Sequence, residues 1–322
     1  MAITTFNCDG EIRGVSQMTL CPLCKSSATR RLDLPHTTTW KCCAPGCGLE
    51  FANPQLSDDE LAQAYTALYY PADGDEREIR FENTADDTFR QMFQRLEKRI
   101  GSLRGLRLLD YGCGRGALLR VSLEFGMRPV GIEQDAEARA VAIKVPGAEV
   151  HQSIDTLQMD DPNPQFDLVI LWTVVEHLRN PWAQLARLRT LLRSSGWLLM
   201  STMDIRCLRA RIERAQWENY QNPTHLYYFD RVSLSRAIQE AGFAEFSEWK
   251  VKISFPHHGA LRRWLYGITF VLGMADGLYY LCRGRAQPDG REDVNPAERQ
   301  IRPVFAGRLR PSGTSESDRG IE

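Results

Sequence analysis

A glycine-rich loop offers the clearest chemistry in the sequence. Its acid and glycines are Asp110, Gly112, Gly114 and Gly116. Glycines that follow a strand let the backbone approach a ligand closely at a helix N-terminus, and the G-x-G-x-G spacing differs from the G-x-G-x-x-G of dinucleotide sites. The Asp110 carboxylate would repel a pyrophosphate but attract a cationic amino group, and Glu133 could accept hydrogen bonds from both hydroxyls of a ribose. We therefore predict a nucleoside ligand that carries an amino group.

Five of the nine cysteines fall between positions 21 and 47, a clustering that indicates a metal site. One knuckle is C-x₂-C, and the second is irregular. We predict one structural zinc whose ligands are Cys21, Cys24, Cys43 and Cys47. Two alternatives stay open: Cys42 could be the ligand in place of Cys43, and the ribbon could have lost its metal. Catalytic zinc is not expected, because four thiolates leave no open coordination position.

Two histidines are placed to take a proton from a substrate. His177 follows the fourth predicted strand in the run Glu176-His177, and His225 lies in the aromatic segment 222–229. Histidine suits proton removal near neutral pH. We expect one of them to be the general base for a hydroxyl acceptor and favour His225, because Glu176 and His177 together could brace their loop. A structural role for either ring stays open.

The elements that must position these side chains alternate between strand and helix. The predicted strands are 106–110, 128–133, 148–151, 166–172, 197–202, 243–254 and 277–283, and helices between them include 115–125, 136–144, one starting at Pro181, and 233–241. This alternation predicts a doubly wound, mostly parallel seven-stranded α/β sheet. Ligands of such sheets bind at the carboxyl ends of the strands, where the acidic loop and His177 fall.

Three motifs carry a resemblance to a known family. The runs 110–116, 130–133 and 166–169 resemble the successive motifs of class I S-adenosylmethionine-dependent methyltransferases, which have a Rossmann-like fold. The resemblance implies that Asp110 and the loop glycines hold the methionine end of the cofactor and that Glu133 holds the ribose. Further cofactor residues are expected after the third strand and at the end of the fourth, namely Ser153, Ile154 and Trp172. A dinucleotide-binding domain, or a glycine turn without a ligand, is the alternative.

The cysteine-rich segment resembles the N-terminal part of many bacterial methyltransferases. These carry a CPxC knuckle, an aromatic residue, a second knuckle ending in Cys-Gly and a short aromatic-Asn-Pro tail, here 21–24, Trp40, 47–48 and 51–54. A Pro-x-His-aromatic segment before a helix also recurs in them, here 223–229. The resemblance implies a structural zinc ribbon.

Changes in composition divide the chain into five parts. We expect an N-terminal arm over 1–20, a zinc ribbon over 21–54, a helical connector over 55–101, a methyltransferase domain over 102–285 and a disordered tail over 286–322. The ribbon is expected to have a core separate from that of the cofactor loop. Residues 1–20 lack the apolar stretch of a signal peptide, so we expect a cytoplasmic protein with reduced thiols.

These patterns together indicate a methyltransferase for a small acceptor, with the methyl group going to a hydroxyl of a sugar, a lipid-linked glycan or a quinone-like metabolite. An RNA methyltransferase is the rival enzyme, but a formal net charge of −1 gives no field that recruits RNA or DNA. A non-catalytic module that binds the cofactor and docks to a protein is the second rival. The apolar stretch 264–281 is assigned to a helix and the last strand, while peripheral membrane contact through 260–275 stays open.

Overall fold

The computed structural model describes residues 3–6, 12–15, 19–69, 76–253 and 269–284. The expected tail, residues 264–268 of the apolar stretch and residues 260–268 of the candidate membrane contact lie outside these ranges. Within the described part of the chain, no helix is both long and apolar enough to cross a membrane.

Strands and helices follow one another along the described residues. The strands are β1 (Ile3–Phe6), β2 (Ile12–Val15), β3 (Ala28–Asp33), β4 (Thr38–Cys42), β5 (Glu50–Ala52), β6 (Arg107–Tyr111), β7 (Arg128–Ile132), β8 (Glu149–His151), β9 (Phe166–Trp172), β10 (Leu192–Met203), β11 (Tyr227–Tyr228), β12 (Phe246–Glu248) and β13 (Gly277–Arg283). The helices are α1 (Asp58–Tyr69), α2 (Glu76–Ile100), α3 (Ala117–Glu124), α4 (Ala136–Ala142), α5 (Ile154–Asp160), α6 (Pro181–Thr190), α7 (Leu208–Glu213), α8 (Glu218–Gln221) and α9 (Arg231–Glu240).

Seven strands form one sheet in the order β12-β13-β10-β9-β6-β7-β8. Strands β6 to β10 pair in parallel, and β13 pairs antiparallel with both β10 and β12. The predicted doubly wound, mostly parallel seven-stranded sheet is confirmed. The closing antiparallel strand has the predicted bounds, Gly277–Arg283, so residues 277–281 of the apolar stretch belong to the sheet.

The order of the strands reverses at β6, which has β7 on one side and β9 on the other. Such a switch point opens a crevice at the carboxyl ends of the strands. Asp110 stands near the end of β6, Glu133 directly follows β7, and Trp172 ends β9. The topology therefore brings residues from three separate stretches of sequence to one edge of the sheet.

Two strands differ from their predicted bounds. β10 begins at Leu192 rather than at 197, and its pairing with β9 shifts register between Leu192 and Trp197. β12 covers only Phe246–Glu248 of the predicted 243–254, because it is an edge strand that pairs with β13 alone. Directly after β12, the Trp249 N–H still donates to the Tyr279 carbonyl of β13 at 2.7 Å, and the Trp249 side chain packs into the core.

Helix α2 packs on α3 along one face of the large sheet. Met92, Phe93 and Leu96 are fully buried, at a spacing that places them on one side of a helix. On the outside of α2, Arg90 pairs with Glu124 of α3 at 2.7 Å between Nη2 and Oε1. The helical character predicted for 55–101 is thus present in α1 and α2.

The cysteine-rich segment forms a second, antiparallel sheet in the order β11-β5-β4-β3. Strand β11 comes from the aromatic segment far along the chain and covers the edge of β5. Cys21, Leu49 and Phe51 share one continuous hydrophobic core with Leu109 of β6. The expectation of a separate ribbon core is therefore wrong, because the apolar face of the ribbon packs against the larger unit.

Candidate functional site

The glycine loop runs from β6 directly into α3. Gly112 has a φ of +82° and Gly116, the N-cap of α3, a φ of +86°, a region in which side chains strain the backbone. A Cβ on Gly112 would stand 2.7 Å from Cγ2 of Val174, and one on Gly116 would stand 2.9 Å from Cγ2 of Val145. The loop therefore needs glycine at both positions to pack against the neighbouring elements.

Glu133 is held against this loop by two backbone N–H groups. Gly114 donates to Oε2 and Asp135 donates to Oε1, both at 2.8 Å. Burial raises the pKa of Glu133, and these hydrogen bonds oppose the rise. Because a carboxylate has about four acceptor positions, the group keeps capacity to accept from the hydroxyls of a ribose.

Asp110 is the second buried acid of the site, with 2% of its surface exposed. Burial, and then the negative charge of Glu133, raise the pKa of Asp110 to about 8. A ligand ammonium group would compensate this pair of carboxylates. The two carboxylates, as hydrogen-bond acceptors, therefore fit the amino group and the ribose hydroxyls of S-adenosylmethionine.

The other predicted cofactor residues have different surroundings. Ser153 caps α5, where its Oγ accepts from the Thr156 N–H at 3.2 Å. Ile154 is buried, and Trp172 packs edge-on against Phe89 of α2 with 5.5 Å between ring centroids. Contacts of Ser153, Ile154 and Trp172 with the cofactor stay a prediction.

Replacing Glu133 with Ala is expected to weaken cofactor binding by roughly 1–3 kcal/mol, because charge-assisted hydrogen bonds to the ribose are lost. Glu133→Gln is the matched variant, since its amide oxygen can still accept from Gly114. Calorimetry with S-adenosylhomocysteine measures both variants. Tight binding of NAD by the wild-type protein, with no affinity for S-adenosylhomocysteine, would contradict the assignment of the loop.

Cofactor affinity is expected to rise with pH up to about pH 8, because the Asp110 carboxyl must lose a proton before it can pair with an ammonium group. Below that pKa the affinity should fall by up to about tenfold per pH unit.

The stability of the cofactor-free protein should follow the opposite trend. Without cofactor, the Asp110 carboxyl holds its proton more tightly in the folded state than in the unfolded chain, so the free energy of unfolding should increase as the pH falls from about 8 towards about 4. Calorimetry and thermal melts measure both trends, and Asp110→Asn should flatten them; a flat wild-type profile would contradict the role of Asp110.

Four thiols meet between the two cysteine knuckles. The sulfur atoms of Cys21, Cys24, Cys42 and Cys47 all lie within 4.8 Å of one another. The Sγ–Sγ distance is 3.8 Å for Cys21 and Cys47 and 3.4 Å for Cys24 and Cys42. Four thiols so close together fit a tetrahedral structural zinc and leave no position for a substrate.

Cys42 takes the place in this cluster that we assigned to Cys43. Cys42 ends β4 and is buried, whereas Cys43 is exposed with its Sγ 3.8 Å from Oγ1 of Thr29. Neighbouring residues of an extended chain point to opposite faces, so only one of this pair can reach the other thiols. The structure corrects the ligand set to Cys42, and zinc itself stays a prediction.

The two candidate histidines lie against each other, with ring centroids 4.8 Å apart. His225 is buried; its Nδ1–H donates to the Asn219 carbonyl at 2.8 Å and its Nε2 accepts from the Asn222 amide at 3.2 Å. Burial holds the pKa of His225 well below its usual value. Because the protein occupies both ring nitrogens, this arrangement favours a structural role for His225 over the base that we expected.

His177 presents a different arrangement. Its Nδ1–H donates to the Thr224 carbonyl at 3.0 Å, which makes Nε2 the basic nitrogen of the ring. Burial lowers the pKa of His177 to about 4, so the imidazole is neutral at pH 7. The ring of Tyr65 in α1 meets it edge-on, with 5.5 Å between centroids.

Glu176 is fully buried beside His177, and burial raises its pKa to about 7. Hydrogen bonding with its own backbone N–H and with the Thr202 hydroxyl opposes this rise in the pKa of Glu176. The main chain braces the loop, since the Leu226 N–H donates to the Glu176 carbonyl at 2.9 Å. Ligating atoms of Glu176, His177 and His225 lie within 4.8 Å of one another, so three titratable groups share one small volume.

Sequence reasoning missed the residues that enclose these groups. Tyr65 packs on His177, and His36, in the turn between β3 and β4, lowers the pKa of His225. Both precede the large sheet by tens of residues, and no motif or spacing connects them to it. The pairing of β5 with β11 brings this part of the chain to the histidines. The sequence does not reveal that pairing, because strands of two or three residues are too short to show a periodic pattern.

Comparisons with known proteins agree with this geometry. A family model described as a methyltransferase domain matches residues 77–247. Over 116 residues the chain is 36% identical to the ubiquinone biosynthesis O-methyltransferase of Bradyrhizobium sp. (strain ORS 278) and 34% identical to that of Rhodopseudomonas palustris (strain BisB5). Each match covers 35% of this chain and 46% of the relative, so the chain spans about half the length of the curated relatives it matches.

A solved complex between the Haloferax volcanii Trm112 methyltransferase activator and a methyltransferase contains a chain with a similar fold. The likeness has 16% sequence identity and a TM-score of 0.50, and it covers 72% of this chain and 100% of that chain. At this identity it shows the fold alone. The family model, in contrast, covers more than half of this chain, and its match agrees with the sheet order, the glycine loop and the buried acid pair. The chain is a member of the class I S-adenosylmethionine-dependent methyltransferases.

Proposed function

We propose that this methyltransferase methylates a hydroxyl group of a small acceptor, and that the acceptor is a phenol of the quinone-like class. The observation that carries the proposal is the imidazole of His177, on the loop after β9, whose Nδ1–H donates to the Thr224 carbonyl and so makes Nε2 the basic nitrogen. Val174 of the same loop packs against Gly112 of the cofactor loop. The loop that carries His177 is therefore in direct contact with the cofactor loop. The names of the curated relatives, ubiquinone biosynthesis O-methyltransferases, support a hydroxyl on a quinone-like molecule.

When bound, S-adenosylmethionine supplies an electrophilic methyl group and leaves as S-adenosylhomocysteine. His177 Nε2 would accept the hydroxyl proton while the acceptor oxygen bonds to the methyl carbon and the carbon–sulfur bond breaks. The Thr224 carbonyl fixes the tautomer that this step requires. Asp110 and Glu133 would hold the amino group and the ribose, so that the methyl group is aligned with the acceptor oxygen.

A screen that measures release of S-adenosylhomocysteine tests the proposal. The panel should contain catechols and hydroquinones, free sugars, a lipid-linked glycan and a structured RNA. Release with a phenol, together with a product that carries the new methyl group on oxygen, would support the proposal. Release with sugars or the glycan alone would overturn the phenol assignment, and release with RNA alone would overturn the small acceptor as well.

A further inference from the structure

The cysteine-rich ribbon continues directly into the segment that carries His225. Strand β5 pairs antiparallel with β11, which places Tyr228 opposite Glu50. Just before β11, the Ala52 N–H donates to the Leu226 carbonyl at 3.0 Å. The residues that follow His225 are therefore held by main-chain hydrogen bonds to the ribbon.

The side chain of Glu50 is a buried carboxylate with partners from three other elements. Its Oε1 accepts from the Thr39 hydroxyl of β4 at 2.8 Å and from the Tyr220 hydroxyl of α8 at 3.1 Å. Arg31 of β3 forms an ion pair with Oε2. Because a buried charge needs its partners, the loss of any one of them leaves the rest of such a network unsatisfied. Glu50 thus ties the ribbon to α8.

Helix α8 also holds the ring of His225. The Nδ1–H of His225 donates to the carbonyl of Asn219, the residue before Tyr220 in the helix. The ring of Tyr220 packs against that of Tyr228 with 4.8 Å between centroids. A shift of Tyr220 would therefore move both the hydrogen-bond acceptor of His225 and the aromatic residue next to it.

Two more residues from before the large sheet reach the histidine pair. Tyr65 packs edge-on against His177. The Nε2 of His36 is buried, and the described residues offer it no hydrogen-bond partner. Such a group gains from a polar ligand, because an unsatisfied buried nitrogen is costly. The ring of Tyr65 thus contacts His177, and the imidazole of His36 is near enough to influence the pKa of His225, after burial and His177.

We infer that residues 21–69 form one wall of the acceptor site and that Glu50 is a positioning residue, which fixes the 222–229 segment against this wall. The functional side of this inference rests on the proposed transfer to a hydroxyl. Asp110 lies on β6 and Glu133 directly follows β7. The side-chain partners of Glu50, which are Thr39, Tyr220 and Arg31, belong to other elements. Disturbance of Glu50 should therefore affect the acceptor far more than the cofactor.

Hydrogen exchange on the full chain, saturated with S-adenosylhomocysteine, tests the positioning role without any acceptor. Tyr220→Phe removes one hydrogen bond to Glu50, and Glu50→Gln removes the buried charge while keeping an acceptor. We expect both variants to speed exchange of amides in 222–229 by about tenfold or more, and to leave 107–133 and the affinity for S-adenosylhomocysteine within about twofold of wild type. Asp33→Ala, at an exposed ribbon position paired with Arg30, is the control and should match wild type.

Unchanged exchange over 222–229 in both variants would overturn the inference. Faster exchange over 107–133 to the same degree would also overturn it, because Glu50 would then stabilise the whole fold without positioning this segment.

Steady-state turnover of 3,4-dihydroxybenzoate adds the functional readout. We expect both variants to raise the KM for this phenol by about tenfold while kcat changes by less than about threefold, the pattern of lost acceptor binding. A fall in kcat with an unchanged KM would contradict the inference that residues 21–69 form a wall of the acceptor site. If the wild-type protein methylates no phenol, the proposed function fails, and hydrogen exchange still decides whether Glu50 positions the His225 segment.

Discussion

Replacing His177 with Ala is expected to slow methyl transfer to a phenolic hydroxyl about 10²–10⁴-fold, the usual cost of losing a general base. The structure gives the reason. The Thr224 carbonyl fixes the tautomer with Nε2 as the basic atom, and the loop that carries His177 packs against the cofactor loop through Val174. Affinity for S-adenosylhomocysteine should stay near the wild-type value, because Asp110 and Glu133, which we expect to hold the cofactor, lie at the ends of other strands. Single-turnover kinetics and calorimetry measure the two effects.

His225→Ala is the matched comparison, since it removes the neighbouring imidazole. We expect a smaller loss of rate, about tenfold or less, because both nitrogens of His225 already serve Asn219 and Asn222. A larger loss for His225→Ala than for His177→Ala would restore His225 as the base. Near wild-type turnover in both variants and in the double variant would leave alignment of the acceptor with the methyl group as the source of catalysis.

Replacing Cys42 with Ser is expected to abolish zinc binding, whereas Cys43→Ser should retain about one zinc per chain. The two positions are adjacent and carry the same side chain. Any difference between the variants therefore reports the direction of the side chain and not the loss of a thiol as such. Cys42 lies in the cluster of four thiols, and Cys43 is exposed. Elemental analysis of protein purified without added metal gives the stoichiometry directly.

The same variants should differ in stability. Three of the four clustered thiols, those of Cys21, Cys42 and Cys47, are buried in the core that also contains Leu109 of β6. Loss of the metal is therefore expected to lower the melting temperature of the whole protein by several degrees or more, since metal binding is linked to folding. Zinc retained in Cys42→Ser but lost in Cys43→Ser would reverse the ligand assignment, and a wild-type protein without metal would show that the ribbon folds on thiols alone.

Much of the fold follows from local pattern. The alternation of apolar runs with helix signals predicted the parallel sheet, and a seventh strand at Gly277–Arg283 was predicted with its observed bounds. Asp110 and Glu133 were identified because they end strands next to a glycine loop, and chain order alone puts such residues at one edge of a doubly wound sheet. These features depend on periodicity and on residues close in sequence, which a single chain displays directly.

Other features depend on which distant segments meet. The choice between Cys42 and Cys43 depends on the direction of one side chain at the end of β4, and a shift of one residue reverses that direction. The burial of His225 by Asn219 and Asn222, and the pairing of β5 with β11, join segments with no common pattern. The sequence by itself determined the sheet, the cofactor loop and the cysteine cluster, because each arises from local spacing. Only the tertiary structure decided the fourth thiol of the cluster, favoured His177 as the base and joined the ribbon to the 222–229 segment. Those outcomes depend on long-range packing that no local spacing encodes.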